Sequence, residues 1–162
     1  MRLRELMPGD QAALARILAA TGFFSPEEQA IALELIADGL TLGPQSHYRF
    51  LVAEERGQVL GYACWGPIPG TRFSADLYWL AVDPGAQRRG IGRKLLAAVE
   101  RAAAASGRFR LYIETSTRPQ YAPTRAFYLA CGYQLASELA DYYAPGDGKA
   151  IFCKVLPAAS GT

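Results

Sequence analysis

The spacing of apolar residues changes period repeatedly along the chain, and each change predicts an element. Residues 2–6 read as a short strand that Pro8-Gly9 ends. Asp10 then offers an N-cap for a helix to about Ala20, with Leu14, Ile17 and Leu18 on one face and Gly22 as its stop. Ser25-Pro26-Glu27-Glu28 combines capping-box spacing with proline at the first helical position. The helix it opens should run to about Asp38, ahead of Gly39. Residues 49–54 and 59–66 predict a β-hairpin around Glu55-Arg56-Gly57-Gln58, and Pro67-Ile68-Pro69-Gly70 leads into a strand over 73–82.

Helical spacing returns with Ile91, Leu95, Val99 and Ala102 on a buried face, ending near Gly107. A strand at 109–115 completes a βαβ crossover, for which the right-handed form is expected. Pro123 should start and Gly132 stop a short helix with Phe127, Ala130 and Cys131 as its buried stripe and Tyr128 to one side. Strands at 133–139 and 149–156 close the pattern, and the tail from Pro157 onward is small and polar. Alternation of strands and helices mid-chain, with hairpins at either end, makes this a mixed α/β fold. The expected organisation is one domain over residues 1–157, followed by a flexible tail at 158–162.

Composition narrows the picture. At 162 residues the chain is long enough for one substantial core, with 51% apolar and 20% charged residues. A net charge of +2 argues for neither nucleic acid nor an anionic membrane as partner. Three widely spaced cysteines (Cys64, Cys131, Cys153) suggest reduced thiols and a cytoplasmic protein. The opening MRLRELMPGD has no apolar h-region and no run reaches spanning length, so neither a leader nor a membrane span is expected. With His47 as the sole histidine, multi-histidine metal sites and a Ser-His-Asp triad are disfavoured, so no metal is expected.

The densest signal is Leu77 to Leu96, LYWLAVDPGAQRRGIGRKLL. A strand stops at Asp83-Pro84-Gly85, and a helix opens with Gly90, Ile91 and Gly92 among Arg88, Arg89, Arg93 and Lys94. Four cations at a helix start oppose the macrodipole, and no acid lies in that turn. A bound anion on the helix-start N–H groups would reconcile them, with the glycines removing Cβ atoms from its path. The alternative is a solvated basic face. A P-loop is absent, and a dinucleotide fingerprint would place Leu95 where glycine or alanine belongs, with Glu114 imitating the ribose-binding acid.

Gln87-Arg88-Arg89-Gly90-Ile91-Gly92 resembles the [QR]-x-x-G-x-[GA] signature of the GCN5-related N-acetyltransferase (GNAT) family. LYWLAVDP resembles the strand before that signature, and Ala126 to Tyr133 the family's late segment with Tyr-x-x-x-Gly-Tyr. The resemblance implies a mostly antiparallel sheet of about seven strands, about four helices and a central βαβ unit that binds acyl-CoA. It implies acetyl transfer from acetyl-CoA to a primary amine of a small molecule or peptide, direct within a ternary complex. The pyrophosphate would sit on residues 88–93, and Gln87, Arg88, Arg89, Gly90, Ile91, Gly92, Arg93 and Lys94 match the binding segment. Ala81 and Val82 match the strand positions that pair with the pantetheine arm.

Two chemical tasks are left to side chains. An amine with a pKa near 10.4 must lose a proton, at a cost of roughly 4 to 5 kcal/mol at pH 7. Asp76 lies six residues before Val82, where histone-acetylating relatives carry a glutamate base, and Glu114 at the next strand's end is the second candidate. The departing thiolate needs a proton, and Tyr128 matches the family's general acid. Tyr121 stands where many relatives carry asparagine. A Cys131 acyl-enzyme is the rival route, disfavoured because that thiol should face the core. Phe23 and Phe24, with Tyr142 and Tyr143 in the expected loop between the last strands, are candidates for holding the acceptor. A non-catalytic acyl-CoA sensor or scaffold is the alternative function, a dinucleotide-binding domain a remoter one, and a homodimer stays open.

Overall fold

The computed structural model describes residues 1–157, and the expected tail at 158–162 lies outside them. Its elements are β1 (Arg2–Arg4), α1 (Gln11–Ala20), α2 (Pro26–Leu42), β2 (Arg49–Glu55), β3 (Gln58–Pro67) and β4 (Ser74–Val82). They continue with α3 (Ile91–Ala105), β5 (Arg110–Ser116), α4 (Ala122–Ala130), β6 (Gln134–Ala144) and β7 (Asp147–Val155). One seven-stranded sheet runs in the order β1-β2-β3-β4-β5-β7-β6. The β4–β5 pair is parallel, whereas β1–β2, β2–β3, β5–β7 and β6–β7 are antiparallel. The βαβ unit is therefore β4–α3–β5, and the mixed, mostly antiparallel sheet with four α-helices is as expected.

The chain divides into two compact units that share β4 and α3. The first comprises Met1–Gly66 with Tyr78–Ala102, and the second Pro67–Leu77 with the chain from Ala103 onward. In the first, Leu14, Ile17 and Leu18 of α1 and Ala32 and Ile36 of α2 pack on Val52, Val59, Tyr62 and Ala81 of the strands. Ser25 caps α2 as expected, accepting from the Glu28 N–H at 3.1 Å while Glu28 accepts from the Ser25 N–H at 2.7 Å. The helix does not stop before Gly39, which lies inside α2 with the Phe50 ring over its bare Cα and no room for a Cβ.

Asp10 ends a single 3₁₀ turn and makes no cap bond to α1. Its carboxylate instead accepts from both terminal guanidinium nitrogens of Arg4 at 2.7 Å and from the Met7 N–H at 2.8 Å. Burial would raise its pKa, but Arg4 and the Met7 N–H together hold it below the usual aspartate range. A local cap signal was thus taken by a tertiary ion pair.

In the second unit, β5 lies between the start of β4 and β7. Ser74–Leu77 pair with Arg110–Ile113, and Arg110–Ser116 pair with Val155–Lys149. Directly paired residues share a face, and faces alternate along a strand. Asp76, Tyr112, Glu114, Cys153, Ile151 and Lys149 therefore share one face, while Ile113 and Phe152 lie on the other. The α4 helix packs on the second face through Tyr128, whose ring centroid is 6.1 Å from that of Phe152 and 5.9 Å from that of Tyr133.

The last hairpin is longer than its sequence suggested. Residues 141–144, expected in a loop, belong to β6. Asp141 adopts φ +53° and accepts the Gly146 N–H at 2.7 Å. The register shifts between Leu139 and Ala144, so turn-forming residues build a bulge inside the hairpin and do not end it.

Candidate active site

The helix start that carries the four cations lies in the first unit. Its lead-in is fixed at three points: the Asp83 N–H donates to the Leu60 carbonyl at 2.8 Å, and the Asp83 carboxylate accepts from the Gly85 N–H at 2.9 Å and from Arg16 at 2.8 Å. Arg88 (φ +62°) and Gly90 (φ +74°) then turn the backbone into α3. The first helical bond runs from the Lys94 N–H to the Gly90 carbonyl at 3.0 Å, so the N–H groups ahead of it point out of the helix end. A Cβ on Gly90 would meet nothing within 4 Å. Its positive φ is the reason for glycine there, and the space in front of it is open.

No acid lies in that turn, but one reaches it from outside. Glu55 of β2 accepts from Arg89 at 2.7 Å, and this bond holds the Glu55 carboxyl below its usual range. Arg88, Arg93 and Lys94 are exposed at the same end. Gln87 is exposed, Ile91 is buried and Gly92 is half-buried in the first turn of α3. The arrangement fits a phosphate: outward N–H groups, an open approach and exposed cations.

Ala81 is buried and Val82 half-buried at the end of β4. A Cβ on Gly61 of β3 would sit 2.6 Å from the Ala81 carbonyl oxygen, so glycine allows the two backbones to approach. Phe23 and Phe24 are half-buried in the loop between α1 and α2. Phe24 packs on Trp79 at 5.8 Å between centroids, and the Trp79 indole N–H is buried without a hydrogen-bond partner.

The titratable candidates lie in the second unit. Asp76 is half-buried, and its pKa is pushed up to about 6, first by desolvation and then by the Glu114 charge, with Lys149 opposing. Lys149, which composition and spacing gave no reason to single out, is only 7% exposed. Its ammonium donates to Glu114 at 2.8 Å and stands 3.8 Å from the Tyr142 ring centroid and 5.8 Å from that of Tyr143. Burial works against the Lys149 charge, but the hydrogen bonds to Glu114 and Tyr142 outweigh it and raise the pKa. Tyr142 and Tyr143, proposed for the acceptor, are about half exposed, and the Tyr142 ring already carries a cation.

Tyr128 is the buried residue of α4 at 6% exposure, while Ala130 is exposed and Phe127 and Cys131 are half-buried. This reverses the expected stripe, because the helix meets the sheet through the Tyr128–Phe152–Tyr133 aromatic cluster. Burial, aided by Cys131, drives the phenol pKa well above its usual value, so the hydroxyl stays protonated. Asp76 and Glu114 belong to the opposite face of the sheet. Tyr121 is buried under the Arg118 guanidinium, 5.7 Å from the ring centroid. Arg118 in turn pairs with Asp147 at 3.2 Å, and Arg125 donates to the Ser116 and Arg118 carbonyls. The long lead into α4 is thereby tied down.

Comparison with known proteins agrees with the geometry. A family model described as Acetyltransferase (GNAT) domain matches residues 46–135. A crystal structure of an acetyltransferase of the GNAT family from Desulfovibrio desulfuricans is 39% identical, with a TM-score of 0.94 over 96% of this chain and 99% of that one. A Salmonella typhimurium acetyltransferase structure with its cofactor acetyl-CoA is 21% identical, with a TM-score of 0.75 over 100% of this chain and 97% of that one. Among curated proteins, the mycothiol acetyltransferase of Amycolatopsis mediterranei is 35% identical over 69% of this chain. The match spans only 40% of that relative's length. The chain belongs to the GNAT acetyltransferase family. No helix among the described residues is long and apolar enough to cross a membrane.

Proposed function

We propose that the chain moves an acetyl group from acetyl-CoA to a primary amine of a small molecule or peptide, directly and without an acyl-enzyme. Family membership supports the reaction class, and the α3 start supports a phosphate-bearing donor. Outward N–H groups of residues 91–93, with Arg88 and Lys94, would hold the pyrophosphate, and the backbone of Ala81 and Val82 would hold the pantetheine arm. Three cysteines that form no disulfide among the described residues suit a cytoplasmic setting.

The observation that carries the mechanism is Asp76. A half-buried carboxyl with a pKa near 6 is mostly ionised at neutral pH, yet binds a proton far more readily than an exposed aspartate. It takes the amine proton through a water, because the side chain is one methylene shorter than glutamate. The nitrogen–carbon bond forms as the carbon–sulfur bond breaks, and the thiolate takes a proton from Tyr128 or from water. A buried phenol that stays protonated suits a donor. The expected result with acetyl-CoA, an amine panel and thiol detection is amine-dependent thiol release. Binding of acetyl-CoA with no turnover on any amine would leave a sensor domain.

A further inference from the structure

We infer that Lys149 is a positioning residue for the proton acceptor: it commits Glu114 to an ion pair and leaves the proton transfer to Asp76. The inference rests on the reading of Asp76 above. Asp76 and Glu114 share one sheet face, and what separates their roles is their neighbours. Glu114 receives the Lys149 ammonium at 2.8 Å, whereas Asp76 forms no ion pair among the described residues. The lysine cannot readily turn to solvent, since it is 7% exposed and its head stands 3.8 Å from the Tyr142 ring centroid. A buried ammonium needs both a carboxylate and further contacts, and the Tyr142 and Tyr143 rings supply them. These tyrosines therefore serve the proton acceptor through Lys149.

Lys149 also acts on Asp76 across the sheet face. Its charge lowers the Asp76 pKa against desolvation and Glu114, which raise it. The groups acting on this face include Glu114, Tyr112 and Arg110 of β5, Lys149, Cys153 and Asp147 of β7, and Tyr142 and Tyr143 of β6. Removing the lysine takes its ion pair from Glu114 and a favourable charge from Asp76, so the Asp76 midpoint must rise.

The test is a ¹³C-carboxyl NMR titration of Asp76 in the ligand-free protein, beside the pH profile of kcat/KM, for wild type, Lys149→Met, Lys149→Arg and Asp76→Asn. Lys149→Met should move the Asp76 midpoint and the acidic limb upward together by about half a unit or more. Lys149→Arg should restore both. An unmoved midpoint in folded Lys149→Met protein overturns the inference and leaves Lys149 structural. If that variant does not fold, Tyr142→Leu takes its place: a smaller upward shift supports the inference, and no shift overturns it. Failure of the Asp76 reading looks different, because Asp76→Asn would then keep wild-type kcat/KM whatever the NMR midpoint does.

Discussion

At the scale of single residues, Asp76 sets a cost on the fold that its chemistry explains. Its folded pKa of about 6 exceeds the unfolded value of 3.8, so the folded state binds the extra proton between those limits. The stability that this contributes is present below pH 4 and lost as pH rises through 6. Solvent screens a half-exposed carboxyl, which cuts the full shift down, so Asp76→Asn should stabilise the protein by about 1 kcal/mol above pH 7, with the gain vanishing near pH 4, as denaturant titrations at several pH values would read. An equal effect at both pH values would mean that the carboxyl is not strained by burial. Tyr128→Phe keeps the ring against Phe152 and Tyr133 and removes only the hydroxyl. It should lower kcat on the order of a hundredfold with acetyl-CoA affinity intact, measured by steady-state kinetics and calorimetry. An unchanged kcat, with chemistry rate-limiting, would assign that proton to water.

At the scale of elements, local signals were legible where nothing distant competed. The Ser25–Glu28 capping box formed because its partners are three residues apart. Asp10 lost its capping role to Arg4, and Gly39, read as a stop, lies inside α2 where Phe50, eleven positions on, fills the space that a side chain would need. Tyr142 and Tyr143 read as loop residues because Asp141 and Pro145-Gly146-Asp147 are turn formers, yet Asp141 builds a bulge within the strand. The β3–β4 contact gives this scale its prediction. In Gly61→Ala, a Cβ placed 2.6 Å from the Ala81 carbonyl would press on backbone and displace the end of β4. The expected cost is about 1–3 kcal/mol of stability, with a several-fold weaker Kd for acetyl-CoA by calorimetry. Unchanged affinity in the folded variant would remove the Ala81–Val82 backbone from the donor site.

At the scale of the whole molecule, the sheet was readable because it follows from strand spacing, and the family because its signature at the α3 start is one contiguous motif. The electrostatics were not. Glu55 answers Arg89 from 34 residues away, and Lys149 answers Glu114 from another strand. Neither pairing leaves a trace in local pattern, and both decide which charges remain for a ligand. The same logic makes donor binding a property of the folded chain. Acetyl-CoA at about a hundred times its Kd should add roughly 2.7 kcal/mol and raise Tm, while NAD and ATP should add little. Stronger stabilisation by NAD would favour a dinucleotide site at the α3 start.

The most direct test of the account is the pH dependence of kcat/KM for wild type and Asp76→Asn with the best amine of the panel. The wild-type profile should fall below a pKa near 6, where Asp76 takes up its proton. The asparagine variant should lose that limb and run on the order of a hundredfold slower at pH 8. A variant that keeps both the wild-type rate and the limb near pH 6 would contradict the account, and the proton acceptor would then have to be another group.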